Sequence, residues 1–177
     1  MSSSPSKRHA LVHGSGRAGF APVLALTISL VGLASGCGNK DSVSLGATLS
    51  GVELTVTEQT LGTQLSGSFQ LHLEVGAEAD GDAHVELSNF SLVRASDQAT
   101  LVGTLQVLPQ GVTFPVTVGK GQSKTIVLVL DDSALLPASD KANLCAGKVQ
   151  VVGAVTHDLL GGETKPVRGN AVLPSGC

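Results

Sequence analysis

The 177-residue sequence contains no tryptophan and no tyrosine, and its only aromatic side chains are those of four phenylalanines. Sugar recognition favours broad aromatic faces, so this composition argues against a carbohydrate-binding surface. Without tryptophan, the Cys–Trp–Cys framework of antibody domains is also excluded.

No G-x-S-x-G motif follows Gly36, and the strand neighbours His157 and Asp158 are expected to point to opposite faces. We therefore expect a protein that is not an enzyme and has no cofactor.

The sequence also lacks an apolar run long enough to span a bilayer comfortably. The uncharged stretch from Ala18 to Leu33 would form a helix of about 24 Å, short of the ~30 Å hydrocarbon core. Lys7, Arg8 and Arg17 precede it and small residues follow it. This order is typical of a secretory signal peptide, and we favour that interpretation over a short membrane anchor.

The signal peptide ends in Ala34-Ser35-Gly36-Cys37, which resembles the lipobox of bacterial lipoproteins. The resemblance implies cleavage before Cys37, acylation of its sulfur and attachment of the protein to a membrane. The usual leucine at position −3 is here Ala34, and an ordinary signal-peptidase cut after Gly36 stays open as an alternative. Gly38, rather than a retention aspartate, follows the cysteine and favours the outer membrane of the cell envelope.

Cysteine is scarce, and its count bears on the lipid anchor. The chain has Cys37, Cys145 and Cys177, and an exported protein with three cysteines has one left over. Cys145 precedes the last two predicted strands and Cys177 ends the chain. If those strands form a hairpin through Leu160-Gly161-Gly162-Glu163, the two cysteines come close enough for a disulfide. That pairing leaves Cys37 for acylation.

Positive charge is scarce once the signal peptide is removed. Residues 37–177 keep fourteen acidic and eight basic side chains, a net charge of about −6. Nucleic-acid binding requires a basic surface, so nucleic acid is not an expected partner. The expected partners are the membrane, through the lipid on Cys37, and another protein of the envelope.

Beyond the tether predicted for residues 37–48, apolar and polar residues alternate with a period of two, which indicates half-buried strands. Strands are predicted in eight segments, at residues 51–59, 67–75, 83–93, 100–108, 112–118, 123–132, 148–159 and 164–173. Residues 131–144 predict a loop with one helical turn.

Short strands separated by turn residues predict a single all-β domain over residues 49–177, an antiparallel β-sandwich. The apolar run from Ile126 to Leu130 predicts a strand covered on both faces.

The stretch from Pro115 to Leu130, a glycine-bearing turn followed by an apolar strand, resembles bacterial immunoglobulin-like domains. The resemblance implies an immunoglobulin-like sandwich. Domains of this kind mostly bind, space or scaffold other molecules.

One sequence feature suggests a site. The segment from Leu71 to Leu87 is nearly palindromic about Ala79, and a hairpin there would place His72 opposite Glu86 and Glu74 opposite His84. Such a face is explained by cross-strand ion pairs or, alternatively, by a transition-metal site with two imidazole and two carboxylate ligands. An immunoglobulin-like connection would instead move the two strands into different sheets and separate the four residues.

Overall fold

A computed structural model describes residues 44–131, 133 and 135–177 of the chain. These residues form ten strands, one short α-helix and one 3₁₀ turn. The strands are β1 (Leu45–Gln59), β2 (Gly62–Val75), β3 (Ala83–Arg94), β4 (Thr100–Val102), β5 (Val107–Pro109), β6 (Val116–Val118), β7 (Ser123–Leu130), β8 (Leu135–Leu136), β9 (Val149–His157) and β10 (Glu163–Arg168). The helix α1 spans Asp140–Cys145 and the 3₁₀ turn spans Leu159–Gly161.

The strands form two antiparallel sheets. The first has the order β1-β2-β7-β5, with β8 also pairing with β2. The second has the order β10-β9-β3-β4, with β6 also pairing with β3. This is the A-B-E-D and G-F-C arrangement of immunoglobulin-like sandwiches, with β4 added beside the C strand. The predicted all-β, immunoglobulin-like sandwich is confirmed.

Alternating side chains from both sheets fill the core. Leu71 and Leu73 of β2, Val85 of β3 and Val151 and Val155 of β9 are fully buried. The rings of Phe69 and Phe90 contact each other across the sandwich with centroids 5.7 Å apart and planes tilted by 36°. The buried apolar residues of the described part of the chain, except Val93, belong to a single cluster, the core expected of a domain of this size.

Two features differ from the sequence-based prediction. The sandwich begins at Leu45, four residues before the predicted start, because Leu45 and Leu49 are buried and pair with the end of β2. Strand β7 is covered on one face only: Ile126, Leu128 and Leu130 are buried, whereas Val127 is 41% exposed. The apolar run was misleading because an antiparallel sheet leaves one face to solvent and tolerates isolated valines there.

The connection between β7 and β9 contains the predicted helical turn. Helix α1 has six residues and buries Leu144. The described residues contain no helix with the length and hydropathy of a transmembrane span.

Candidate functional site

A cavity lies over the second sheet, at the end of the sandwich where β1 begins. The register places Leu45 beside Val75, so β2 ends there, and β3 begins there after residues 76–82. Strand β9 ends at the same place, since His157 pairs with Val85. The cavity has a volume of about 610 Å³ and is lined by His84, Glu86, Pro115, Thr156, His157, Asp158, Gly161 and Gly162.

A histidine–aspartate pair forms one side of this cavity. The His84 amide donates a hydrogen bond of 2.8 Å to Asp158 Oδ1, and His84 Nδ1 lies 2.7 Å from Asp158 Oδ2. The carboxylate therefore joins the start of β3 to the segment after β9 through two contacts. The backbone hydrogen bond from His84, followed by its side-chain bond, lowers the pKa of Asp158. Asp158 is thus an anion that fixes the orientation of the His84 imidazole.

His157 lies beside this pair but points into the protein. Its side chain is fully buried, and neither ring nitrogen has a hydrogen-bond partner among the described residues. Oε2 of Glu163 lies 3.9 Å from Nε2 of His157. Burial lowers the pKa of His157 because the imidazolium would lose its hydration, and the nearby Glu163 carboxylate opposes this shift only in part. His157 is therefore held as a neutral side chain.

The remaining polar groups of the cavity lie on neighbouring strands. Glu86 of β3 pairs in register with Thr156 of β9, so both side chains project from the same face of the sheet. Together with Asp158 they present two carboxylates and a hydroxyl to the cavity, while Pro115 supplies an apolar wall. This set of groups suits a ligand that donates hydrogen bonds or has a positive charge.

The structure does not bring together the four residues of the predicted metal site. His72 and Glu74 lie on β2 in the first sheet, whereas His84 and Glu86 lie on β3 in the second sheet. His72 Nδ1 lies instead 3.0 Å from Thr125 Oγ1 on β7. No group of three or more metal-ligating side chains forms within residues 44–131, 133 and 135–177. The His–Glu hairpin is therefore absent, and the chain has the alternative given from the sequence, an immunoglobulin-like connection that moves the two strands into different sheets.

The physical reason lies in the apolar half of the palindrome. Leu71, Leu73 and Val75 of β2 and Ala83 and Val85 of β3 are all buried. A hairpin would place these residues side by side in one sheet. The sandwich places them in opposite sheets, where both sets pack into one core, and it separates their polar partners onto two outer surfaces.

The His84–Asp158 pair was not predicted from the sequence. His157 is buried at the end of β9, whereas Asp158 is exposed just beyond that strand. The partner of Asp158 lies 74 residues away in the sequence. No local pattern identifies such a pair, because it depends on β3 and β9 being neighbours in one sheet.

The structure joins Cys145 and Cys177 in a disulfide with a Cα–Cα distance of 5.4 Å. The predicted hairpin is present, since β10 pairs with β9 from Glu163 to Arg168. Beyond β10 the chain continues along β9, where Val172 pairs with Val149, and then crosses to the first sheet. The predictions for the signal peptide and for Cys37 lie outside the described residues.

No protein-family profile and no curated protein sequence matches the chain. Among solved structures, the chain is similar to the ASH / PapD-like domain of human CEP192 (PapD-like domain 7). That similarity has a TM-score of 0.35 and 10% sequence identity, and it covers 74% of this chain and 87% of that chain. The assignment to the immunoglobulin-like class rests on the strand order described above.

Proposed function

We propose that this protein is a lipid-anchored protein of the cell envelope whose β-sandwich binds or scaffolds another envelope component without catalysing a reaction. The observation that carries the anchor is the Cys145–Cys177 disulfide. It uses two of the three cysteines, so Cys37 has no other cysteine of the chain with which to pair. A cysteine directly after a signal peptide, with no intramolecular partner, suits acylation.

The proposed anchor is close to the domain. Seven residues separate Cys37 from Leu45, and a segment of that length spans at most about 25 Å when fully extended. A lipid on Cys37 would therefore hold the end of the sandwich that contains the His84–Asp158 pair near the bilayer surface. In this arrangement the opposite end, with the β1–β2 turn, faces away from the membrane. We favour the outer membrane because Gly38 follows the cysteine.

The proposed binding role is supported by the cavity. Glu86, Asp158 and Thr156 give the cavity hydrogen-bond acceptors, and residues 37–177 have a negative net charge. Both features favour a partner with basic or hydrogen-bond-donating groups and disfavour nucleic acid. A rigid two-sheet scaffold that presents exposed polar side chains is suited to such recognition.

The anchor is tested by metabolic labelling with a palmitate analogue in the producing cells. We expect label on the parent protein and none on Cys37→Ser, which should also keep its signal peptide. The matched control is the double variant Cys145→Ser with Cys177→Ser, which removes the other two cysteines and should be labelled like the parent. Equal labelling of the parent and Cys37→Ser would refute the proposal.

The binding role needs a separate experiment. Cross-linking in intact cells, followed by purification of the protein, should capture an envelope protein with the parent and less of it with Glu86→Gln. Glu53→Gln, an exposed position on the first sheet, is the matched control and should capture as much as the parent. Identical capture by Glu86→Gln and the parent would show that the cavity is not the binding surface.

A further inference from the structure

Two cationic side chains lie at the turn that joins β3 to β4. Arg94 is the last residue of β3, and Lys148 directly precedes β9. Arg94 pairs in register with Val149, and the Ala95 amide donates a hydrogen bond of 2.9 Å to the Lys148 carbonyl. Since β3 begins at the end of the sandwich where β1 begins, this turn lies at the other end, with the β1–β2 turn.

Another cavity, the β3–β4 cavity, lies at this turn and has a volume of about 400 Å³. It is lined by Arg94, Ala95, Ser96, Ala146, Gly147 and Lys148. Both cationic side chains therefore border one space, together with a hydroxyl group and the small apolar side chains of two alanines. Among the described residues that line this cavity, none has a carboxylate.

A third cation lies close to the β3–β4 cavity. Arg168, the last residue of β10, donates hydrogen bonds to the side-chain oxygens of Gln98 and Gln150. Gln98 in turn donates a hydrogen bond of 3.2 Å from Nε2 to the carbonyl of Ala95, a residue that lines the cavity. Two neutral amide groups thus fix the position of the guanidinium without cancelling its charge.

The charges of this basic cluster, Arg94, Lys148 and Arg168, are only partly balanced. Arg94 Nη1 donates a hydrogen bond of 2.9 Å to Asp97 Oδ2. Neither Lys148 nor Arg168 forms an ion pair in the part of the chain that the structure describes. Three cations and one carboxylate leave a net charge of +2, whereas residues 37–177 as a whole have a negative net charge. A local positive excess of this kind attracts anions.

Asp97 shapes the turn and competes for Arg94. The Ala99 amide donates a hydrogen bond of 3.1 Å to Asp97 Oδ1. This hydrogen bond, followed by the one from Arg94, lowers the pKa of Asp97. Asp97 is therefore an anion that occupies one nitrogen of the Arg94 guanidinium.

We propose that the β3–β4 cavity binds a small organic carboxylate, whose carboxylate group lies between Arg94 and Lys148. A guanidinium and an ammonium group are strong hydrogen-bond donors to a carboxylate. A short apolar body on the ligand would then contact Ala95 and Ala146. Arg168 adds electrostatic attraction at longer range. This inference depends neither on the lipid anchor nor on the cavity at the other end of the sandwich.

The first test is an NMR titration of the full chain with Cys37→Ser, with butyrate as the probe and the ionic strength held constant. Butyrate should shift the amide signals of Ser96 and Gly147, with a Kd in the millimolar range, and leave the core amide of Leu71 unchanged. Acetate, which lacks the apolar body, should bind more weakly. Butyramide has the same carbon chain without the charge and should cause no comparable shift. Equal shifts from butyrate and butyramide, or no shift at Ser96 and Gly147, overturn the proposal.

The second test removes one donor. Lys148→Gln should weaken butyrate binding at least about threefold, because one ion pair with the ligand is lost. The matched control is Lys120→Gln, an equal change of charge at an exposed position between β6 and β7, at the other end of the sandwich. This control should bind butyrate like the parent. Unchanged binding by Lys148→Gln contradicts the proposal, and so does an equal loss in both variants, which would reflect net charge alone.

The third test predicts a gain in affinity. Asp97→Asn removes the carboxylate that pairs with Arg94, while the oxygen of its amide can still accept the Ala99 hydrogen bond. Binding of butyrate should become at least about threefold tighter, because Arg94 loses its competing partner and the cluster gains positive charge. A role of these residues in the turn alone would give no such gain. Unchanged or weaker binding by Asp97→Asn, with the Leu71 amide signal unaltered, shows that the β3–β4 cavity is not an anion site.

Discussion

At the scale of single residues, the polar groups at one end of the sandwich divide into exposed and buried members. His84 and Asp158 are exposed and pair with each other, whereas the His157 ring is buried without a hydrogen-bond partner in the described part of the chain. Within the exposed pair, the Asp158 carboxylate fixes the orientation of the His84 imidazole in the cavity. The buried His157 instead makes the stability of the folded state depend on pH, because its protonated ring would be charged in a place that water does not reach.

We predict that the protein loses stability as the pH falls below about 6.5. Burial lowers the pKa of His157 from its ordinary value of 6.5 in the folded state, so the unfolded chain binds more protons in this range. The stabilising effect of a neutral His157 is therefore complete above pH 6.5 and is lost as the pH falls toward the folded-state pKa. Glu163 and Asp158 weaken the shift and Lys165 strengthens it.

The measurement is the melting temperature of the parent and of His157→Leu between pH 7.5 and 5.5. The melting temperature of the parent should fall further than that of His157→Leu over this range, because both proteins share the same carboxylates and differ in one imidazole. An identical pH dependence of the two proteins would show that His157 does not titrate in the way proposed.

We also predict that Asp158→Asn loosens the start of β3. The Asp158 carboxylate accepts both the His84 amide and its side chain, and an amide group accepts with one oxygen only. Hydrogen exchange at the His84 amide should become faster, whereas the neighbouring core amide of Val85 should not change. Unaltered exchange at His84 would indicate that the carboxylate does not hold this strand.

At the scale of secondary structure, the sequence identified most strands but only one pair of neighbours, β9 and β10. The alternation of Leu71, Leu73 and Val75 correctly predicted β2, and the alternation beginning at Val85 correctly predicted β3. The same pattern cannot tell whether two strands share a sheet or face each other across a core, because both arrangements bury alternate residues. The error about the His–Glu face follows from this ambiguity.

Strand β7 provides a test of the one-sided burial. Leu128 is fully buried and its neighbour Val127 is 41% exposed. We expect Leu128→Ala to lower the free energy of unfolding by about 2–5 kcal/mol, and Val127→Thr to change it by no more than about 0.5 kcal/mol. Urea denaturation of both variants measures these changes. A similarly large loss of unfolding free energy in both variants would instead indicate that β7 is covered on both faces.

At the scale of the whole molecule, the disulfide links the helix region to the end of the chain. The cysteine count and the predicted last hairpin were enough to pair Cys145 with Cys177. The crossing of the C-terminal segment to β1 could not be predicted, because Ser175 lies beyond the last predicted strand, residues 164–173, and residues 174–177 contain no alternation that identifies a strand. Its position is set by contacts with distant residues, Val149 and Thr55.

We predict that Cys145→Ser destabilises the sandwich without unfolding it at room temperature. The bridge joins residues 32 positions apart, and closing a loop of that size contributes about 3–4 kcal/mol on the chain-entropy account. Domains of this kind have total stabilities of about 5–15 kcal/mol, so a folded fraction remains. Urea denaturation of Cys145→Ser, and of the parent with reductant, should give similar losses. If reductant leaves the stability of the parent unchanged, the bridge is absent from the purified protein.

Mass spectrometry of the N-terminal peptide from native membranes tests most directly whether a lipid on Cys37 holds the sandwich at a membrane, as we propose. Two or three acyl chains, at about 0.8 kcal/mol per buried CH₂, would anchor the protein stably. We predict that the peptide begins at Cys37 and has the added mass of a diacylglyceryl group. A peptide that begins at Cys37 with an unmodified thiol, or one that still contains residues before Cys37, would contradict the claim.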